Sequence, residues 1–169
     1  MRTETSTMQK AKKKRGRVIV PALSLLLMLG LTACSANKEN GEQKVESGED
    51  LVLLISEISA TPAFYPVTVD GTKMEVFAVK AEDGTIRTAF NTCQVCNGSP
   101  KAYFEQNGDT VQCQNCGNIF PMSRVGLEAG GCNPVPIIDD EKTVTDESIT
   151  VSYETLLANA YRFPDNWKQ

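Results

Sequence analysis

Residues 93–117 read Cys-Gln-Val-Cys-Asn-Gly-Ser-Pro-Lys-Ala-Tyr-Phe-Glu-Gln-Asn-Gly-Asp-Thr-Val-Gln-Cys-Gln-Asn-Cys-Gly, and they decide how the rest of the chain is understood. Four of the six cysteines fall here, as Cys93-x-x-Cys96 and Cys113-x-x-Cys116 with sixteen residues between the pairs. This is the two-knuckle spacing of tetrahedral thiolate sites. A gap of two residues lets both sulfurs of a knuckle reach the same ion. The tight turn also aims backbone N–H groups at those sulfurs, which stabilises thiolate charge. Asn97-Gly98 and Gly117 follow the two pairs and tolerate the left-handed backbone that closes such a turn. Between the knuckles, Asn107-Gly108-Asp109 predicts a turn joining strands over 102–106 and 110–112, the ribbon that would carry Cys113 back toward Cys93.

Upstream of this stretch the pattern is also that of strands. The run 51–55, Leu-Val-Leu-Leu-Ile, is apolar enough for a buried strand, although Leu51, Leu54, Ile55 and Ile58 fit one helical face as well. Over 64–79 two β-rich runs flank Asp70-Gly71, the dipeptide suited to a two-residue type I′ hairpin in which both central residues take positive φ. A second turn, Glu82-Asp83-Gly84, leads into a strand over 85–90 that delivers the chain to Cys93. Beyond the cysteines, 149–153 alternates as a strand. Residues 154–162 then predict a short helix burying Leu156, Leu157, Ala160 and Tyr161, with Phe163 and Trp167 closing the edge of the core. The fold class expected is mainly β: a small hairpin and ribbon domain with two cysteine knuckles around one metal centre and a short C-terminal helix.

The first 34 residues have a different character. A basic stretch from Lys10 to Arg17 precedes an apolar run from Val18 to Leu31 and then small residues, the layout of an export signal. The apolar run falls short of the ~20 residues that span a bilayer. Leu31-Thr32-Ala33-Cys34 resembles the lipobox of bacterial lipoproteins, in which the cysteine is lipidated with fatty acyl chains such as palmitate and becomes the new N-terminus. Residues 1–33 are therefore expected to be a signal peptide and Cys34 a lipidated residue. Residues 34–50 would form a tether too polar to offset the entropy of ordering, and 51–169 the metal-binding domain. The expected location is the extracytoplasmic face of the cell membrane. After Cys34 there are ten Lys and Arg against twenty Asp and Glu, a net charge of −10, which repels nucleic acid and excludes it as a partner.

The cysteines admit other chemistry. In an oxidising compartment four could form two disulfides with the fifth left free. Bridges within a C-x-x-C pair close loops too small to stabilise much, but they serve well in redox exchange. A thioredoxin-like enzyme usually sets its C-x-x-C in a βαβ pattern, and here hairpins surround it. The fifth cysteine, in Gly130-Gly131-Cys132-Asn133-Pro134, is either a buried thiol or a further ligand, the latter pointing to a cluster or an exchanging ligand. The sequence contains no histidine, which excludes His-based acid–base catalysis and Rieske-type ligation. Met122 reads as packing rather than a soft copper ligand, and Asp139-Asp140-Glu141 as a solvated turn rather than a cation loop.

Taken together, Val69-Asp70-Gly71, 81–90 (Ala-Glu-Asp-Gly-Thr-Ile-Arg-Thr-Ala-Phe), the two knuckles with Gly117, and Gly130–Pro134 resemble the FtrD-like membrane iron–sulfur domain over about residues 51–138. The resemblance implies an iron–sulfur or related metal centre ligated by Cys93, Cys96, Cys113 and Cys116, with Cys132 matching the family's glycine-flanked cysteine. It also implies association with an iron permease and the redox partners of an iron-uptake system, in which the domain passes electrons. Polytopic members carry the domain behind several membrane helices, whereas the attachment expected here is a lipid. The reading is a non-hydrolytic, non-enzymatic metal-binding or electron-transfer lipoprotein. A zinc-stapled interaction module and a thiol–disulfide oxidoreductase are the competing classes.

Overall fold

The computed structural model describes residues 43–44, 48–127 and 129–169. The signal peptide and the lipidated Cys34 expected from the sequence lie outside the described residues. In chain order the strands are β1 (Gln43–Lys44), β2 (Leu51–Leu54), β3 (Ala63–Val69), β4 (Thr72–Lys80), β5 (Ile86–Cys93), β6 (Phe104–Asn107), β7 (Thr110–Cys113), β8 (Ile119–Pro121), β9 (Pro134–Pro136), β10 (Lys142–Val144) and β11 (Ser148–Val151), followed by one helix, α1 (Tyr153–Asn159). They build a central sheet in the order β1-β3-β4-β5-β9 and two three-stranded sheets, β10-β11-β2 and β6-β7-β8. The mainly β class with a short C-terminal helix is what the structure shows.

The β3–β4 hairpin forms as the Asp70-Gly71 dipeptide requires. Val69 pairs with Thr72, and the two residues between them have φ of 46° and 84°, the doubly positive geometry of a type I′ turn. Strand β4 then runs through the middle of the molecule and is buried on both faces. Met74, Val76 and Ala78 enter one core with Val67, Val69, Phe90, Leu51, Leu53, Ile149, Val151 and Leu156. Phe77 and Val79 enter a second with Ala89, Cys93, Phe104, Val111, Cys113 and Phe120. A period of two sends alternate side chains to opposite faces. The β10-β11-β2 sheet and α1 therefore cover one face of the central sheet, and the β6-β7-β8 ribbon covers the other.

Several local expectations are corrected. Strand β2 alternates instead of being buried throughout: Leu51 and Leu53 are inside, while Val52 and Leu54 are each 47% exposed. The helix is rotated from the predicted face. Leu157 is 43% and Tyr161 70% exposed, and the buried helical residues are Tyr153 and Leu156. The cause lies at the helix N-terminus, where the Ser152 hydroxyl accepts the Thr155 N–H (3.1 Å) and the Asp50 carboxylate accepts the Tyr153 N–H (2.9 Å). These caps fix the rotation so that Tyr153 and Leu156 face inward. The Tyr153 hydroxyl in turn donates to Asp70 Oδ1 (2.8 Å) at the hairpin tip. Phe163 and Trp167 close the core as expected, with ring centroids 5.1 Å apart. Within the stretch read as a tether, β1 pairs parallel with Val67 and Thr68 of β3, which places it at the edge of the central sheet.

Two polar groups pin the ribbon to the central sheet. Asn91 of β5 acts as an extra strand position: its Nδ2 donates to Phe104 O (3.2 Å) and its Oδ1 accepts the Phe104 N–H (2.8 Å). The same Nδ2 donates to Oε1 of buried Glu75 (2.6 Å). Glu75 is also held by Lys168 Nζ at 2.9 and 3.0 Å, so the C-terminal residues neutralise a carboxylate that burial would otherwise penalise.

Candidate metal centre

Knuckle one begins where β5 ends. Between Phe90, paired with Val135, and Cys93, paired with Pro134, the β5–β9 ladder carries a bulge, a feature that re-aims a strand end. Cys93 is buried, and its N–H donates to Ala102 O (2.7 Å). The chain then turns so that the N–H groups of Val95 and Cys96 both donate to the Cys93 sulfur. Knuckle two repeats this at the end of β7: the N–H groups of Asn115 and Cys116 donate to the sulfur of buried Cys113. Gly98 and Gly117 take φ of 88° and 74°, the conformation expected where each knuckle closes. The hairpin that brings the knuckles together also forms, with Asn107 paired to Thr110 and Phe104 to Cys113. The Ser99 hydroxyl then bridges the tips by donating to Asn115 Oδ1 (2.7 Å).

Cys132 reaches the same place by another route. It precedes β9, which lies beside β5 in the central sheet, so the pairing of Pro134 with Cys93 delivers it to knuckle one. The loop is fastened to both knuckles. Gln94 N–H donates to Asn133 O (3.0 Å), Gly130 N–H donates to Gln94 Oε1, and Asn118 Nδ2 donates to Cys132 O (2.6 Å). As a result Cys93, Cys96, Cys116 and Cys132 place their sulfurs all within 4.8 Å of one another. Cys113 is not one of this group of four. Its thiol hydrogen-bonds to Cys116, and its charge acts on Cys93. The five cysteines singled out in the sequence are thus one cluster, with a different inner four from the two-knuckle set.

The electrostatics divide the cluster by depth. Burial pushes the thiols of Cys93 and Cys113 up from their ordinary range. Cys116, on the surface, is brought down to about 7. The largest cause is the Asn118 N–H donating to its sulfur, and hydrogen bonds from the thiols of Cys113, Cys96 and Cys132 act in the same direction. Cys132 is raised, chiefly because it donates to Cys116. In the metal-free protein Cys116 is therefore the sulfur on which negative charge collects.

Four soft sulfur donors without a histidine suit iron or zinc. Around one tetrahedral ion with metal–sulfur bonds of about 2.3 Å the sulfurs stand roughly 3.8 Å apart, a spacing compatible with the 4.8 Å limit observed. A polynuclear cluster, with bridging sulfides between its irons, needs its ligand sulfurs spread further. A cavity of about 630 Å³ elsewhere is lined by Ile86, Arg87, Leu127, Ile138 and Lys142 among others, with no cysteine. Met122 is buried in the ribbon core, as the sequence implied, and Asp139–Glu141 forms a single turn in which Asp139 and Asp140 are exposed while the half-buried Glu141 accepts the Ile138 N–H (3.1 Å).

The β-rich domain and its cluster of cysteines define a thiolate metal-binding protein. The chain belongs to the FtrD-like family of membrane iron–sulfur containing proteins, whose model matches residues 59–163. The match reaches past the cysteine region through α1 to Phe163, so the helix is part of the family's domain. No curated protein matches the chain. The family is described as membrane-associated, and among the described residues no helix is long and apolar enough to cross a membrane.

Proposed function

We propose that this protein is a lipid-anchored, extracytoplasmic electron carrier for iron uptake, holding iron through the thiolates of Cys93, Cys96, Cys116 and Cys132. The observation that carries the reading is the mutual closeness of those four sulfurs, drawn from two knuckles and a separate loop. When bound, iron supplies a one-electron redox couple. The chain's own residues do the rest. Val95, Cys96 and Asn118 N–H groups donate to the ligand sulfurs, favouring the more negative, reduced state. The ribbon core of Phe77, Phe104, Val111 and Phe120 keeps water from the buried side, while Cys116 lies at the surface, where an electron can pass to or from a docked partner. An iron permease and its redox partners are the expected neighbours. Acyl chains on Cys34 would hold the domain near them.

The N–H cradle and the mutual closeness of the four sulfurs also suit zinc, which would make the domain a structural interaction module. The deciding experiment is anaerobic purification of the full chain, with iron, zinc and sulfide analysis, visible absorption and potentiometry. Stoichiometric iron with a reversible potential supports the carrier. Colourless zinc supports the module, and metal-free disulfides defeat both. Membrane fractionation of a Cys34→Ala variant tests the anchor: release into the soluble fraction is expected, and unchanged membrane attachment would reject lipidation at that site.

A further inference from the structure

Cys113 is buried, lies outside the group of four, and yet is built like a ligand. Its sulfur receives two backbone N–H groups, from Asn115 and Cys116, the same cradle that Val95 and Cys96 provide for Cys93. A thiol that only fills a core needs no such donors, whereas a metal-bound sulfur is stabilised by them. Cys113 also touches Cys116 directly. Cys132, by contrast, is held on a loop rather than in a knuckle. Gly130 and Gly131 precede it with φ of 87° and 133°, and the loop's fastenings include the side chains of Gln94 and Asn118. A tetrahedral ion takes four sulfurs, and five are offered.

We infer that the centre has two interchangeable ligand sets, in which Cys93, Cys96 and Cys116 are constant and the fourth position passes between Cys132 and Cys113. In the exchange one metal–sulfur bond breaks and one forms. Cys113 gives up its thiol proton, Cys132 takes one up, and no electron moves. Cys132 is the partly exposed member of the pair and Cys113 the buried one, so a partner that binds the 130–133 loop can draw Cys132 away while the metal stays held. The inference rests on the proposal that these thiolates bind a metal.

The test loads the full chain with ferrous iron, and separately with Co²⁺, whose visible bands report the number of thiolates. It compares wild type with Cys113→Ser, Cys132→Ser and the double variant. Each single variant is expected to retain one metal per chain with four-thiolate spectra distinguishable from each other, and the double variant to bind at least about tenfold more weakly. Cys113→Ala, checked by circular dichroism, separates a lost ligand from a lost fold. If Cys132→Ser loses a thiolate while Cys113→Ser matches wild type, Cys113 is only packing and the exchange is wrong. If either single variant that remains folded loses its metal outright, that cysteine is obligatory and the exchange is again wrong. A wild-type chain that binds neither ion overturns the metal reading itself.

Discussion

On one face of the central sheet, Val67, Met74, Val76 and Phe90 meet Leu51, Leu53, Ile149, Val151 and Leu156, an apolar interior closed by Phe163 and Trp167. On the other, Phe77, Val79 and Ala89 meet a short ribbon whose core includes Cys93 and Cys113 and whose attachment runs through Asn91. The first face rests on buried hydrocarbon, which needs no ligand. The second has less hydrocarbon, strands of three or four residues, and five thiols, two of them buried. Isolated short hairpins are marginal in water, so the ribbon is the half whose order should depend on what the cysteines bind.

Metal removal makes the sharpest test of this division. Metal binding supplies folding free energy of order 10 kcal/mol in small structural zinc sites, so chelation is expected to strip hydrogen-exchange protection from residues 94–125. Protection in β2, β3 and β11 should remain. Simultaneous loss on both faces would mean that the two cores fold as one. Phe90→Ala should cost about 3–5 kcal/mol, and because its ring lies in the hydrocarbon core, the loss should be equal with and without metal. Equality is checked by denaturant titration in both states; a cost that depends on metal would break the contrast. Asn91→Ala is smaller, about 1–3 kcal/mol from the unpaired Phe104 backbone groups and the loss of one partner of Glu75. It should weaken metal retention more than it weakens the opposite core.

The smallest effect is chemical. In the metal-free, reduced protein, Cys116 should alkylate fastest, half-maximally near pH 7 where its lowered pKa lies. Below that pH its thiol is protonated and slow. Burial keeps Cys93 and Cys113 as protonated thiols to higher pH, so they should react last. Peptide mapping after limited alkylation reads the order, with Cys113 expected to lag only until residues 94–125 open on chelation; a Cys113 that stays protected at long times would mean that the ribbon holds without metal.

Much of this was legible in the residues. Asp70-Gly71, the turns that close the two C-x-x-C pairs at Gly98 and Gly117, and the alternation from Ile149 depend on local backbone chemistry and formed, the last as a strand that stops at Val151 instead of 153 because Tyr153 opens the helix. Where longer-range packing decided, the reading failed. Leu157 and Tyr161 look like a core stripe, but the capping contacts of Ser152 and Asp50 turned the helix away from them. The strand Pro134–Pro136 carries two prolines, which argue against a central strand and are tolerated here because β9 lies at the sheet edge. That edge position could not be seen without the sheet.

The sequence by itself determined that the site's chemistry is that of sulfur, because the paired cysteines with no histidine in the chain make thiols its reactive groups and because a two-residue gap is short enough for one turn to set its geometry. Only the tertiary structure decided which sulfurs meet. Cys132 is separated from Cys116 by fifteen residues and reaches the cluster through the pairing of β9 with β5, a contact between strands far apart in the chain. Local spacing carries no information about such a pairing, since it is selected by the sum of both cores rather than by the residues beside the cysteine.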